Sequence, residues 1–125
     1  MKNKTIIIII TLFIISLAAA LWVKSSRQPG QFDAFADFLK ENGAVFYGTF
    51  WCSHCQNQKA LFGKSAKRLP YVECSTPDGR SQSAFCQDKN IEGYPTWEFN
   101  DGSRLSGELS LTRLAEKTGC PPPPQ

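Results

Sequence analysis

Histidine is almost missing from this sequence, and so is any large excess of charge. His54 is the only imidazole, and 14 Lys and Arg against 11 Asp and Glu leave a net charge of +3. No run of Lys or Arg stands out, so nothing points to nucleic acid as a partner. A structural zinc centre needs four ligands, often from two Cys-X-X-Cys pairs. Here there is one such pair, Cys52 with Cys55, and Cys74, Cys86 and Cys120 make no second. A covalent haem attachment is excluded because Gln56, not histidine, follows Cys55. No metal and no other cofactor is therefore expected, and there is no internal repeat.

Charge is also absent from residues 5–23, TIIIIITLFIISLAAALWV, and so is any helix breaker. A bilayer core takes about 20 apolar residues as a helix, so the run is just long enough to span one. Lys2, Lys4 and the amino terminus flank it on one side, Lys24 and Arg27 on the other. That slight bias puts residues 1–4 in the cytoplasm. Ala18-Ala19-Ala20 offers an alternative, a signal-peptidase site. Against cleavage, the apolar run continues through Leu21, Trp22 and Val23, and Trp22 suits a membrane interface. No cysteine near its end marks a lipoprotein. A buried globular helix is the remaining reading. The anchor is preferred: a single pass in an inner or cell membrane, with the rest of the chain in the periplasm or another extracytoplasmic space. Disulfides persist there.

The remainder is globular by composition, with the whole chain 42% apolar, 20% charged and 12% aromatic. Its 125 residues allow one domain of ordinary size. Residues 24–31, with Pro29 and Gly30, read as a tether, 32–119 as the domain, and 120–125 as a disordered proline tail. Phe32, Phe35, Ala36 and Leu39 recur at helical spacing, and Gly43 supplies a stop. Residues 44–50, AVFYGTF, have the composition of a buried strand. A helix is expected to start at the cysteine pair and run to about Lys67, before Leu69-Pro70. Short strands are expected at 71–74 and in TWEF and SRLSG, the last two joined as a hairpin by Asn100-Asp101-Gly102. A short helix is expected in 81–90. A last helix has Ser110 as N-cap, Leu111, Leu114 and Ala115 on one face, and Gly119 as stop. This order describes an α/β domain, a mixed sheet covered by helices.

The chemistry is concentrated in Trp51-Cys52-Ser53-His54-Cys55. A cysteine at a helix N-terminus meets unpaired backbone N–H groups and the positive end of the helix dipole, both of which favour thiolate. Three residues on, Cys55 lies about one turn away, close enough for a disulfide. Cys52 is then expected to be exposed and acidic, the sulfur that attacks or leaves, and Cys55 to be sheltered and resolving. Ser53 and His54 sit where they tune the Cys52 thiolate, favouring the reduced form and an oxidising disulfide. Such pairs span from about −270 mV to about −120 mV, and the oxidising half is expected here. A structural disulfide within one helical turn would constrain almost nothing. A non-catalytic metal or thiol chaperone using Cys52, His54 and Cys55 is an alternative of another class. Cys74 and Cys86 fall at a strand end and in the next helix. Bridging them would close a loop of about a dozen residues, worth about 3 kcal/mol on the chain-entropy model. A second redox pair feeding Cys52 and Cys55 is the alternative. Cys120 adjoins the proline tail and reads as a free thiol or an occasional intermolecular bridge rather than a catalytic residue.

With Trp51-Cys52-Ser53-His54-Cys55 and Gly93-Tyr94-Pro95-Thr96 both in view, the chain resembles the thioredoxin superfamily over nearly all of 32–119. The resemblance implies a thioredoxin-like fold following an N-terminal transmembrane helix. It also implies a cis peptide before Pro95, facing the cysteine pair, and a Tyr94 backbone that pairs with an extended substrate. Trp51 would line the same substrate surface. More narrowly, YGTFWCSHCQNQKALFG, VEC and GYPTWEF look like the thioredoxin-like domain associated with bacterial vitamin K epoxide reductase homologues. That likeness implies a thiol–disulfide oxidoreductase taking electrons from cysteine-containing proteins and passing them to a quinone-linked membrane partner. It also implies that Cys74–Cys86 is structural. The chain lacks the four-helix quinone-binding domain, so the partner would be a separate protein. It also lacks the buried aspartate of typical cytosolic thioredoxins, since that stretch reads Val45-Phe46-Tyr47.

Overall fold

A computed structural model of the chain describes residues 2–26, 28–121 and 123. Met1, Arg27 and positions 122, 124 and 125 lie outside the described residues, and with them parts of the expected cytoplasmic terminus, tether and proline tail. The apolar run forms one helix, α1 (Lys2–Ser26), which takes in the first three residues of the expected tether. Its segment Asn3–Ser25 is long and apolar enough to cross a bilayer, a property that a signal segment shares. None of its most apolar window is buried, and Trp22 is 72% exposed. That overturns the reading of a buried globular helix, because an apolar helix gains nothing in a core it does not touch.

The domain begins with α2 (Asp33–Glu41), which buries Phe35, Ala36 and Leu39. Gly43, at φ 73°, turns the chain into β1 (Val45–Gly48). A four-stranded sheet is built around β1 in the order β2-β1-β3-β4, with β2 at Tyr71–Glu73, β3 at Thr96–Glu98 and β4 at Arg104–Ser106. β1 runs parallel to β2 and antiparallel to β3, and β3 pairs antiparallel with β4. A parallel pair needs a crossover. Here α3 (Ser53–Ala60) and a 3-10 segment (Gly63–Arg68) make it, and α3 is delivered to the end of the central strand. The fold is a thioredoxin-like α/β fold, a mixed sheet flanked by helices.

The crossover is where the expected helix to Lys67 fails. α3 stops at Ala60, and Gly63 follows at φ 52°, a left-handed conformation that no regular helix continues through. The break lets Phe62 turn inward, stacked on Phe35 at 5.9 Å between ring centroids and edge-on to Phe32 at 6.4 Å. It also buries Ser65, whose Oγ accepts the Phe32 N–H at 3.0 Å. Tertiary packing overrides the local helical pattern. α5 (Leu111–Thr118) follows expectation: Ser110 Oγ accepts the Arg113 N–H at 3.1 Å, and Gly119 ends it at φ 70°.

One side of the sheet packs Phe46, Trp97, Leu39, Phe62 and Leu114, with Phe46 and Trp97 stacked at 4.9 Å. On the other side Tyr47 and Ile91 pack around Cys74 and Cys86. These two cysteines form a disulfide linking the end of β2 to α4 (Ala84–Asp88), with 5.6 Å between Cα atoms. Replacing both with alanine is expected to cost about 3 kcal/mol, from the entropy regained by a loop of that length in the unfolded chain. Equilibrium denaturation compares the two chains. An unchanged midpoint would assign the loop's order to its backbone bonds alone, such as Ser83 N–H to the Cys74 carbonyl at 2.8 Å.

Candidate active site

β1 hands over to α3 through Thr49-Phe50-Trp51, and Cys52 occupies the N-cap of α3 in an extended conformation. Its backbone N–H donates to the Thr49 carbonyl at 3.2 Å, and Gln56 Nε2 ties the Phe50 carbonyl back to the helix at 2.8 Å. The Cys52 sulfur caps α3, accepting the Cys55 N–H at 3.2 Å. The Cys55 thiol also donates to it, with the two sulfurs 2.7 Å apart. Little movement separates this dithiol from a closed disulfide of about 2.05 Å. Cys55 is fully buried, and that burial pushes its thiol up to about 12, the bond to Cys52 adding to the effect. Cys52, expected to be exposed, is only 8% exposed, so that expectation is corrected. The reason is the capping role itself: a sulfur that turns back over the first helical turn presents only a narrow face to solvent.

Gly48, at the end of β1, forms the floor beneath Cys55. A Cβ there would stand 2.8 Å from Tyr71 Cε2 and 3.0 Å from the Cys55 sulfur, so only glycine fits. Lys59 Nζ lies 3.4 Å from the centre of the Tyr71 ring. Tyr71 in turn donates its hydroxyl to Glu73 at 2.7 Å. Glu73 also accepts the backbone N–H groups of Phe50 at 3.2 Å and Ser75 at 2.9 Å, and so steadies the approach to the motif.

His54 faces outward. Its Nδ1 meets Glu108 Oε1 at 2.6 Å, and Asn57 Nδ2 donates to the same oxygen at 3.0 Å. His54, then Asn57, hold the Glu108 carboxyl below the usual carboxylate range. Trp51 is 57% exposed, with its indole N–H on Ser75 Oγ at 3.1 Å and its ring edge-on to Tyr94 at 6.3 Å. Tyr94 packs against the cluster that holds Cys52 and Cys55, its hydroxyl accepts from Gln82 Nε2 at 2.6 Å, and the Tyr94–Pro95 peptide is cis. The structure thus gathers Trp51, Cys52, His54, Cys55, Tyr94 and Pro95 at one end of the sheet. Cys74–Cys86 lies on the other sheet face, although the Cys74 N–H donates to the Gly48 carbonyl at 2.8 Å. Cys120 is a half-buried free thiol, raised by its burial.

Gly48, Lys59, Tyr71 and Glu73 at the site escaped sequence reasoning, and so did Glu108 and Gln58. Glu108 is 54 positions from His54 in an irregular stretch, and no local pattern links them. Gln58 reads as an exposed helical polar residue but is fully buried, bonded through its amide to both backbone groups of Leu109.

A mixed sheet whose first crossover helix begins on a Cys-X-X-Cys pair defines a thioredoxin-like protein with a dithiol centre. The sequence profile described as Thioredoxin matches residues 29–117, and the chain belongs to the thioredoxin family. Among curated proteins it is 49% identical over 102 residues to the thiol-disulfide oxidoreductase LTO1 of Arabidopsis thaliana, covering 78% of this chain and 26% of that one. It is 35% identical over 69 residues to a protein disulfide-isomerase of Arthroderma benhamiae, covering 51% of this chain and 13% of that one. The chain therefore spans about a quarter or less of the length of either relative.

Proposed function

We propose that the chain is a membrane-tethered thiol–disulfide oxidoreductase that oxidises cysteine pairs in extracytoplasmic proteins. The observation that carries this reading is the pair of donors, the N–H and thiol of Cys55, converging on the Cys52 sulfur at the start of α3. In the disulfide form, a substrate thiolate attacks Cys52 and Cys55 leaves, taking a proton as its high affinity for one favours. A second substrate thiolate then attacks the substrate sulfur of the mixed disulfide and expels Cys52. Two electrons have passed to the protein, and the substrate holds a disulfide. His54 tunes the Cys52 sulfur, Trp51 lines the substrate surface, and Tyr94 and Pro95 present the substrate backbone.

Reoxidation falls to a separate quinone-linked membrane protein of the vitamin K epoxide reductase type. The likeness of the motif stretches to domains associated with that enzyme supports this assignment. Residues 5–23 anchor the chain, 24–31 tether it, and 32–119 carry the chemistry on the extracytoplasmic side. Similarity to a protein disulfide-isomerase favours a second reading, reduction or isomerisation of substrate disulfides. Equilibration with glutathione separates the two. A potential between about −200 and about −120 mV is expected for the oxidant, and a value near about −270 mV would overturn that direction.

A further inference from the structure

Cys55 poses a problem the motif does not solve. To resolve a mixed disulfide on Cys52 it must lose its proton, yet it is fully buried and burial holds that proton tightly. In typical thioredoxins a carboxylate on the strand below assists, and here β1 offers Phe46, stacked on Trp97. We propose that Lys59, held over the ring of Tyr71, supplies the positive charge that allows Cys55 to ionise for the resolving step. This inference rests on the oxidoreductase reading above.

The geometry runs as a chain of contacts. Lys59 is four residues after Cys55 on α3, so the two side chains share a helix face. Tyr71 Cε2 and the Cys55 sulfur crowd the same point above Gly48, at 2.8 and 3.0 Å from it. The Lys59 ammonium rests 3.4 Å from the centre of that same ring, a cation–π contact that holds a flexible side chain in place. The other titratable groups beside Cys55 are Cys52 from the motif and Tyr71 from β2, with Glu73 behind the Tyr71 hydroxyl, while Phe46 of β1 and Trp97 of β3 share its core cluster. Glu73 is occupied by three donors, the Tyr71 hydroxyl and the N–H groups of Phe50 and Ser75. Lys59 makes no ion pair among the described residues, so its charge is not neutralised. A cation on the same helix face as a buried thiol, held over the ring that touches the same point, favours the thiolate, and low polarity around the pair strengthens the effect. Lys59 is accordingly a positioning residue that acts through Cys55. In the step it assists, the Cys55 thiolate attacks the Cys52 sulfur, the bond from Cys52 to the captured sulfur breaks, and the captured group leaves as thiolate. The Cys55 proton goes to solvent.

The test uses the full reduced chain in detergent micelles with saturating oxidised glutathione, quenched in acid over a range of pH. Capture by Cys52 and first-order release of the second glutathione are read separately. In Lys59→Met and Lys59→Gln the midpoint of the release profile is expected to move up by about one pH unit. Capture at neutral pH and the melting temperature of the disulfide form should stay near those of the parent, and Lys59→Arg should restore release. A release profile in both neutral variants that overlays the parent's would overturn the proposal. A parent chain that captures glutathione and never releases it would overturn the oxidoreductase reading itself, and this inference with it.

Discussion

Changing Cys55 to serine is expected to turn the protein into a covalent trap. Cys52 keeps its place at the α3 N-cap, because the Cys55 N–H that it accepts belongs to the backbone. A serine hydroxyl at 55 can still donate toward the Cys52 sulfur, so the environment of the attacking group survives. What disappears is the second sulfur, which otherwise stands 2.7 Å away and needs no diffusion to attack. Intramolecular attack at such proximity carries an effective molarity of about 10⁵ M or more, so the mixed disulfides that Cys55 resolves, those formed when Cys52 attacks a disulfide in a partner protein, should live at least about a thousandfold longer. Turnover of dithiol oxidation should fall to the uncatalysed level. Non-reducing electrophoresis should show adducts that vanish with reductant and are absent from Cys52→Ser. The identity of the adducts separates an oxidised membrane partner from reduced or scrambled secreted proteins. Continued turnover by Cys55→Ser would remove Cys55 from the resolving role, and adducts that persist in Cys52→Ser with the free thiol of Cys120 also replaced would remove Cys52 from the attacking one.

Much of this site was legible in the chain because it is written locally. The spacing of Cys52 and Cys55 and the strand composition before them place the pair at a strand-to-helix junction. Ser110 and Gly119 mark the limits of α5 through cap chemistry alone. The features that escaped depend on residues distant in sequence. Gly63, two residues past Leu61, is a stop signal of the same kind as Gly43 and Gly119 that the expectation of a helix to Lys67 passes over; what it does not reveal is that the stop serves the packing of Phe62 on Phe32 and Phe35. Helix-start chemistry suggested an exposed Cys52, and the same chemistry, carried to its end, folds the sulfur over the helix and covers it. Glu108 and Gln58 carry no local signal because their partners are about fifty residues away.

Among the buried polar side chains, Gln58 is expected to carry a large stability cost when replaced. It is fully buried, and its amide satisfies three groups: Nε2 donates to the Leu109 carbonyl at 3.0 Å, while Oε1 accepts from Leu109 N–H at 2.7 Å and from the Trp97 indole at 3.4 Å. Gln58→Leu keeps most of the volume and removes every one of these partners. Each orphaned buried polar group costs about 1–3 kcal/mol, and Leu109 is not wholly sealed from water, so a loss of about 3 kcal/mol is expected. Equilibrium denaturation measures it directly. The effect should reach the active site, because Leu109 follows Glu108, whose carboxylate holds His54 and Asn57. Loosening that backbone should release His54 from its carboxylate and shift the equilibrium with glutathione as well as the denaturation midpoint. If stability falls while the glutathione equilibrium stays fixed, the Glu108 contact contributes nothing to the poise of the cysteine pair. If neither moves, water already satisfies the Leu109 backbone, and α3 is anchored to the core by its apolar contacts alone.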